Sequence, residues 1–367
     1  MGLCAVVWYI WRKWILCNVN SIQETYKRLQ DDESKVIYID RLNYSITQDS
    51  FYLKEMVGRV IKSKTIWQDL LKRLIELSKN HELAIFGAGM WGNILYRETC
   101  KLIKWRYMID SKPAKKAVDS IPVFSFQHFT EKYQGEYIVL SSFKNLREMK
   151  GQLQDHGISD ERIIDAGSVI HQLTEGAIYF DLEELQPVRE KEVFVDAGCF
   201  DAATTKRFFT WCGGKGYAYC MEPDERNIAL IRKNLGDNRN VEMVEKAVWS
   251  KTTVLSINAR GNCATSVAGP DRYDGWQRIE AVALDDILSD TGVTFIKMDI
   301  EGAEVEALHG AAHTISEQKP RLAISIYHKP EDIWMIPKII LDYCTDYKFY
   351  LRHYSFSDYD TVLYAIP

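Results

Sequence analysis

From Glu192 to the end of the chain, short apolar runs rich in Val, Ile, Phe and Tyr alternate with segments that are apolar at every third or fourth position. The first pattern suits buried strands and the second amphipathic helices. Strands are expected at 193–196, 217–221, 241–245, 294–298, 321–326 and 347–352, and helices near 204–211, 225–235, 303–317 and 331–344. A last apolar stretch, TVLYAIP, follows the short turn SFSDYD, which suits an antiparallel hairpin at one sheet edge. Strand–helix alternation predicts parallel strands covered by helices on both faces, a doubly wound α/β sheet.

Before Glu192 the pattern divides. Residues 18–80 are periodic without obvious chemistry, with Ile22, Tyr26 and Leu29, then Ile66, Leu70, Leu74 and Leu77, at helical spacing. At LAIFGAGMWGNILY an apolar run meets Gly87, Gly89 and Gly92 and then a helical pattern, which is G-x-G-x-x-G in its strand, turn and helix setting. A second strand, WRYMID, ends on Asp110, near the place that holds a ribose in such motifs, and a third covers Tyr137–Ser142. The expected organisation is a helical segment at 1–80, a small Rossmann-like α/β domain at 81–170, a linker at 171–191 and a larger α/β domain at 192–367.

Composition narrows the partners. With 367 residues, 46% hydrophobic and 26% charged, the chain can bury a large core. Its 51 acids against 46 bases give a net charge of −5 with no basic block, so no nucleic-acid partner is expected. The 8 cysteines form no CxxC pair, which suits reduced thiols in a cytoplasmic protein. The opening MGLCAVVWYIWRKWILC is broken by Arg12 and Lys13, whereas a membrane span needs about 20 apolar residues. Trp8, Trp11 and Ile15 share a helical face that suits either a membrane surface or packing on the protein, the second being the preferred reading.

The chemistry concentrates in the larger domain. EVFVDAGCFDAATTKRFF and GYAYCMEPDE bring Asp196 and Gly198 to the tip of one strand and Glu222 to the tip of the next. A glycine there lets backbone come close to a ligand, and an acid at the neighbouring tip can accept both hydroxyls of a ribose. That is the outline of an S-adenosylmethionine site, with Asp196, Gly198 and Glu222 as cofactor residues. Further on, FIKMDIEGAEVEALHG gathers Lys297, Asp299, Glu301 and Glu304 at a strand exit.

Here the chain resembles the FkbM family of S-adenosylmethionine-dependent methyltransferases. The resemblance rests on IKMDIEGAE, on Leu284-Asp285-Asp286 before it, and on AISIYHKPEDIW and LRHYS after it, and covers Glu192 to Pro367. It implies a class I methyltransferase sheet, S-adenosylmethionine as cofactor, and Asp299 and Glu301 among the cofactor residues. In the family's first motif, D-x-G-A-N-x-G, this chain has Cys199, Phe200 and Ala202 where Ala, Asn and Gly are usual. An alanine at the last position, Ala202, tolerates helical dihedrals and so need not abolish cofactor binding.

A hydroxyl acceptor must lose its proton, and Asp299 and His328, ending neighbouring strands, are the candidate bases, with Lys297 beside them. Lys297 is expected to pair with Glu301 or Glu304. His309 and His313 stand four apart without a third ligand, so no metal is expected. The loop 261–275, with Thr265 and Ser266, suits either a lid or a plain surface loop.

The small domain resembles Rossmann-like modules attached to sugar-modifying acyltransferases and methyltransferases. That resemblance implies a nucleotide-sugar near Gly87, Gly89, Gly92 and Asp110. The reading is an O-methyltransferase for a hydroxyl on a sugar, glycan precursor or other small molecule. The rivals are a nicotinamide-dependent oxidoreductase using 81–165 and a non-catalytic nucleotide-binding protein.

Overall fold

A computed structural model of the chain describes residues 19–119, 121–176, 178–187, 191–258, 266–268, 276–288 and 291–367. The face at Trp8, Trp11 and Ile15, and Thr265 in the polar loop, lie outside the described residues. No helix among the described residues is long and apolar enough to cross a membrane. The chain forms two compact units. One is Val57–Ile178 with Tyr354–Phe356, and the other is Met1–Met56 with Tyr179–His353 and Ser357–Pro367.

The smaller unit is built on β1 (Leu83–Phe86), β2 (Trp105–Asp110), β3 (Ala117–Val118), β4 (Ile121–Ser125), β5 (Tyr137–Leu140) and β6 (Ile163–Asp165). Their order is β3-β4-β2-β1-β5-β6, parallel except at the β3–β4 edge. The central β1 is buried at all four positions, which its LAIF run explains, since a strand covered on both faces has no polar side. Phe86, Phe129, Ile138, Leu140 and Leu153 fill one core against it.

The larger unit holds β7 (Glu192–Ala197), β8 (Gly216–Met221), β9 (Val241–Val244), β10 (Ala247–Val248), β11 (Thr253–Asn258), β12 (Ser266–Ala268), β13 (Gln277–Val282), β14 (Phe295–Met298), β15 (Arg321–Ser325), β16 (Lys348–His353) and β17 (Thr361–Ile366). Seven of them form one sheet in the order β16-β17-β15-β14-β7-β8-β9. The sheet is parallel from β15 to β9, and β17 runs antiparallel between β15 and β16. This is the class I methyltransferase order, with the expected hairpin at its edge. A second sheet, β10-β13-β11-β12, was not foreseen from periodicity.

Two findings revise the sequence expectations. The helix expected over 303–317 is two pieces, Glu304–His309 and Thr314–Gln318. Between them, a Cβ on Gly310 would stand 2.1 Å from the carbonyl oxygen of Trp249, so backbone from the smaller sheet's connection presses into the gap. The second concerns residues 19–56, which belong to the larger unit. The Asp32–Thr47 helix is capped by Asp31, whose carboxylate accepts from Ser34 N at 2.7 Å and pairs with Arg352 at 2.8 Å. Ser34 Oγ in turn accepts from Leu351 N on β16 at 2.8 Å.

Candidate functional site

In an open α/β sheet, ligands bind outside the carboxyl ends of the strands where the strand order reverses, here between β7 and β14. A cleft of about 900 Å³, its open mouth included, lies there. Gly198, Glu222, Lys297, Asp299 and Glu301 all line it. Asp196 sits beneath the cleft, fully buried.

The floor is an ion pair set by register. Asp196 on β7 lies opposite Lys297 on β14, and their charges meet at 3.1 Å with both side chains buried. Asp196 also accepts from the Thr205 hydroxyl at 2.7 Å. The ammonium donates to the carbonyl oxygens of Ala197 at 3.2 Å and Gly198 at 2.8 Å. Burial opposes the charge of Lys297, but Asp196 and then Asp299 outweigh it and hold its pKa above the ordinary 10.5. The expected pairing with Glu301 or Glu304 is therefore replaced by a partner 101 positions earlier (297 − 196). With three acceptors around it, Lys297 fixes the β7 loop.

That loop is tightly folded. Gly198 has φ +77°, and a Cβ there would stand 2.0 Å from the carbonyl oxygen of Asp299, so only glycine fits. Phe200 and Ala202 also lie in the left-handed region, at φ 50° and 62°. The helical dihedrals that Ala202 would tolerate are thus replaced by ones of the opposite hand, and the family's Asn and Gly at these positions have a physical reason: both tolerate that conformation. Ala202→Gly is expected to raise unfolding free energy by about 1 kcal/mol, opposite in sign to an ordinary buried Ala→Gly, as a shift in urea midpoint at unchanged slope.

Glu222 closes one end of the cleft. Its carboxylate accepts from the backbone N–H groups of Phe200 at 3.2 Å and Asp224 at 3.0 Å and from the Asn227 amide at 3.2 Å. Burial pushes its pKa above the ordinary 4.5 despite these donors. Met221, Pro223, Ala247 and Val248 make the nearby walls apolar. Lys246, a second cation lining the cleft, is paired with Glu280 at 2.8 Å. A carboxylate for a diol, apolar walls and paired cations suit S-adenosylmethionine, which carries ribose and adenine but no phosphate.

At the other end stand the acids and histidine of the acceptor side. Asp299 accepts from the hydroxyls of Tyr179 at 2.8 Å and Tyr327 at 3.1 Å. Burial would raise its pKa, but Lys297, His328 and hydrogen bonds from Tyr179 and Ser325 hold it below the ordinary 3.8. His328 Nδ1 lies 3.0 Å from Glu304, and Nε2 lies 3.5 Å from Asp299 and 3.6 Å from Glu301. Burial opposes protonation of His328, yet Glu304 and the other carboxylates lift its pKa to about 9. Burial, first, and the neighbouring acids push Glu301 up to about 7.

Sequence reasoning passed over Tyr179, which lies in the expected linker, and Asn227, buried in the first turn of the Glu225–Leu235 helix. No local pattern marks Tyr179. It stands at φ 75° with its N–H donating to the Tyr364 hydroxyl at 3.0 Å, so tertiary contacts alone aim its ring at Asp299.

In the smaller unit, Gly87, Gly89, Gly92 and Asp110 line one cleft with Ser141 and Asn145. Gly87 has φ +103°, and a Cβ on Gly92 would stand 1.8 Å from Gly87 O, which fixes helix against strand. A Cβ on Gly89 would meet open space. Asp110 accepts from Ala88 N at 3.1 Å, and Arg97, Lys112 and Lys115 line the adjoining groove that shares Gly89 and Asp110.

Residues 196–355 match the methyltransferase FkbM domain. The chain is similar to the 2-O-methyltransferase NoeI of Sinorhizobium fredii (strain NBRC 101917 / NGR234), 27% identical over 147 residues, across 35% of this chain and 60% of that protein. It thus spans less than two thirds of that relative's length. Among solved structures, methyltransferase FkbM from Methylobacillus flagellatus KT is similar over 88% of this chain and 100% of that one, at 20% identity and TM-score 0.46. Aeropyrum pernix fibrillarin, with natively bound S-adenosyl-L-methionine, is similar over 51% and 71%, at 12% identity and TM-score 0.34. With its strand order and the cleft at the β7 and β14 tips, the chain carries, over residues 196–355, a methyltransferase FkbM domain on the class I S-adenosylmethionine-dependent methyltransferase fold.

Proposed function

We propose that this protein methylates a hydroxyl oxygen of a sugar, glycan precursor or other small hydroxylated acceptor. The observation that carries this reading is one cleft with the ribose-type carboxylate Glu222 at one end and the Asp299–His328 cluster at the other. The likeness to NoeI, a 2-O-methyltransferase, supports oxygen as the acceptor atom. S-adenosylmethionine, held by Glu222, Gly198 and the apolar walls, supplies an electrophilic methyl carbon. The chain's own part is positioning and proton transfer. Lys297 and Asp196 hold the β7 loop, Tyr179 and Tyr327 aim Asp299, and Glu304 holds His328. The acceptor's proton leaves to the Asp299 carboxylate as its oxygen forms the new bond, with His328, held protonated by the surrounding acids, placing that carboxylate.

The test is calorimetry of the full chain with S-adenosylhomocysteine and with nicotinamide cofactors, followed by mass spectrometry of hydroxylated acceptors incubated with S-adenosylmethionine. Binding of S-adenosylhomocysteine and gain of one methyl on oxygen are expected. Binding of a nicotinamide cofactor alone would overturn the reading.

A second ligand is proposed for the smaller unit: a phosphate-bearing nucleotide, of which a nucleotide-sugar is one form. The favouring observation is the contrast between clefts, since Arg97, Lys112 and Lys115 line the groove here whereas the larger unit's two lining lysines are paired. Gly89→Asp puts a negative charge into open space without disturbing packing. It is expected to weaken binding of a nucleoside diphosphate sugar by at least about tenfold at unchanged melting temperature. Equal affinity in the variant would rule this site out.

A further inference from the structure

His328 carries a feature that methyl transfer by itself does not require. Its side chain is only 9% exposed, and Nε2 makes no hydrogen bond while facing Asp299 Oδ1 at 3.5 Å and Glu301 Oε2 at 3.6 Å. Such separations are too long for hydrogen bonds. They leave room for an ion between them: octahedral neighbours at about 2.0–2.2 Å from one ion stand about 2.8–3.1 Å apart, so binding needs the donor atoms to close by only about half an ångström. Asp299, Glu304 and His328 each offer a ligand atom within 4.8 Å of the others, and Glu301, outside that cluster, adds a carboxylate oxygen 3.6 Å from Nε2.

The other ring nitrogen also makes no well-aligned hydrogen bond, but a carboxylate stands within reach of it. Nδ1 lies 3.0 Å from Glu304 Oε1, and that oxygen is itself fixed by Ile300 N at 2.9 Å. A carboxylate behind one imidazole nitrogen, with the other nitrogen free to ligate, is the usual support of a metal-binding histidine. Glu301 is held in the left-handed region at φ 57°, a conformation unusual for glutamate. Asp299 and Glu301 both line the cleft, so an ion held by them is reachable from it.

We infer that Asp299, Glu301 and His328 bind a divalent cation of the Mg²⁺ or Mn²⁺ class, with Glu304 as the positioning residue behind the imidazole. The two carboxylates suit hard cations, and the single imidazole favours Mn²⁺ over Mg²⁺ among them. The pair expected from sequence to be too sparse, His309 and His313, plays no part: His309 Nδ1 is 2.6 Å from the Tyr343 hydroxyl. Binding of the ion stands independently of the methyltransferase reading, but its role rests on that reading. An acceptor hydroxyl bound to the cation gives up its proton more readily, and a vicinal diol could occupy two open positions at once.

The experiment titrates EDTA-treated full-length protein with MnCl₂, following the free Mn²⁺ signal by electron paramagnetic resonance, with S-adenosylhomocysteine titrated in parallel by calorimetry. One Mn²⁺ per chain is expected, displaceable by Mg²⁺. His328→Ala and Glu304→Gln are each expected to weaken Mn²⁺ roughly tenfold or more, with S-adenosylhomocysteine affinity retained as the check on folding. No loss of the free Mn²⁺ signal at millimolar protein, or equal affinity in both variants, would overturn the inference. S-adenosylhomocysteine binding without Mn²⁺ binding overturns this inference alone, whereas Mn²⁺ binding without S-adenosylhomocysteine binding overturns the methyltransferase reading and leaves the ion site standing.

Discussion

Lys297→Met is expected to cost about 3–5 kcal/mol of folding free energy, because it leaves the carboxylate of Asp196 buried without its counter-charge. Asp196 is 0% exposed, and the lost ammonium also serves the carbonyls of Ala197 and Gly198. Against a total of about 5–15 kcal/mol for a typical domain, such a loss takes much of the margin. Chemical denaturation measures it as a lower midpoint at unchanged slope. The double variant Asp196→Asn with Lys297→Met is expected to recover a large part of the loss, since no charge then remains unpaired, and this coupling separates the ion pair from mere packing. A single variant within about 1 kcal/mol of the parent would refute the account. The sign with pH follows from the raised pKa of Lys297. Its contribution is complete below the ordinary 10.5 and is lost only as pH rises through the higher folded value, so this pair gives no slope through neutral pH.

Glu222→Ala is expected to weaken S-adenosylhomocysteine binding by about 100-fold or more, which corresponds to about 3 kcal/mol for charge-assisted hydrogen bonds lost to a buried carboxylate. The variant also strands three donors, from Phe200, Asp224 and Asn227, that now converge on the carboxylate. Glu222→Gln keeps the shape and removes the charge, so it is expected to fall between parent and Ala. Because burial raises the pKa of Glu222, affinity should decline with falling pH from a higher pH than an ordinary glutamate would give, and Glu222→Gln should lose that slope. Affinity unchanged in Glu222→Ala would place the cofactor elsewhere.

The parallel order and the edge hairpin of the larger unit were legible because they follow from local periodicity: EVFVDA and FIKM are apolar runs that only a doubly covered strand accommodates. Asp196, Gly198 and Glu222 were legible for the same reason, since strand ends deliver them to one edge. What remained hidden depends on distant chain. The partner of Lys297 is decided by cross-strand register, and Tyr179 is aimed by Tyr364. The left-handed turn at Ala202 was misread because alanine carries no mark of the conformation its neighbours impose. In the second sheet β10 has two residues and β12 three, too short for any period to emerge, while the six-residue β11 and β13, TVLSIN and QRIEAV, mix polar and apolar positions too evenly to stand out as apolar runs.

The position of β17 between β15 and β16 has a consequence for biosynthesis. Residues 361–366 complete the interior of the sheet, and the capped helix at 32–47 rests on β16 through Asp31, Ser34, Leu351 and Arg352. A ribosome therefore releases the first helices long before the strands that will receive them exist. Val57–Ile178, whose sheet is complete within its own stretch, can fold while translation continues. The larger unit must instead wait until its last strand has emerged, with residues 19–56 held in reserve by a tether that has already folded.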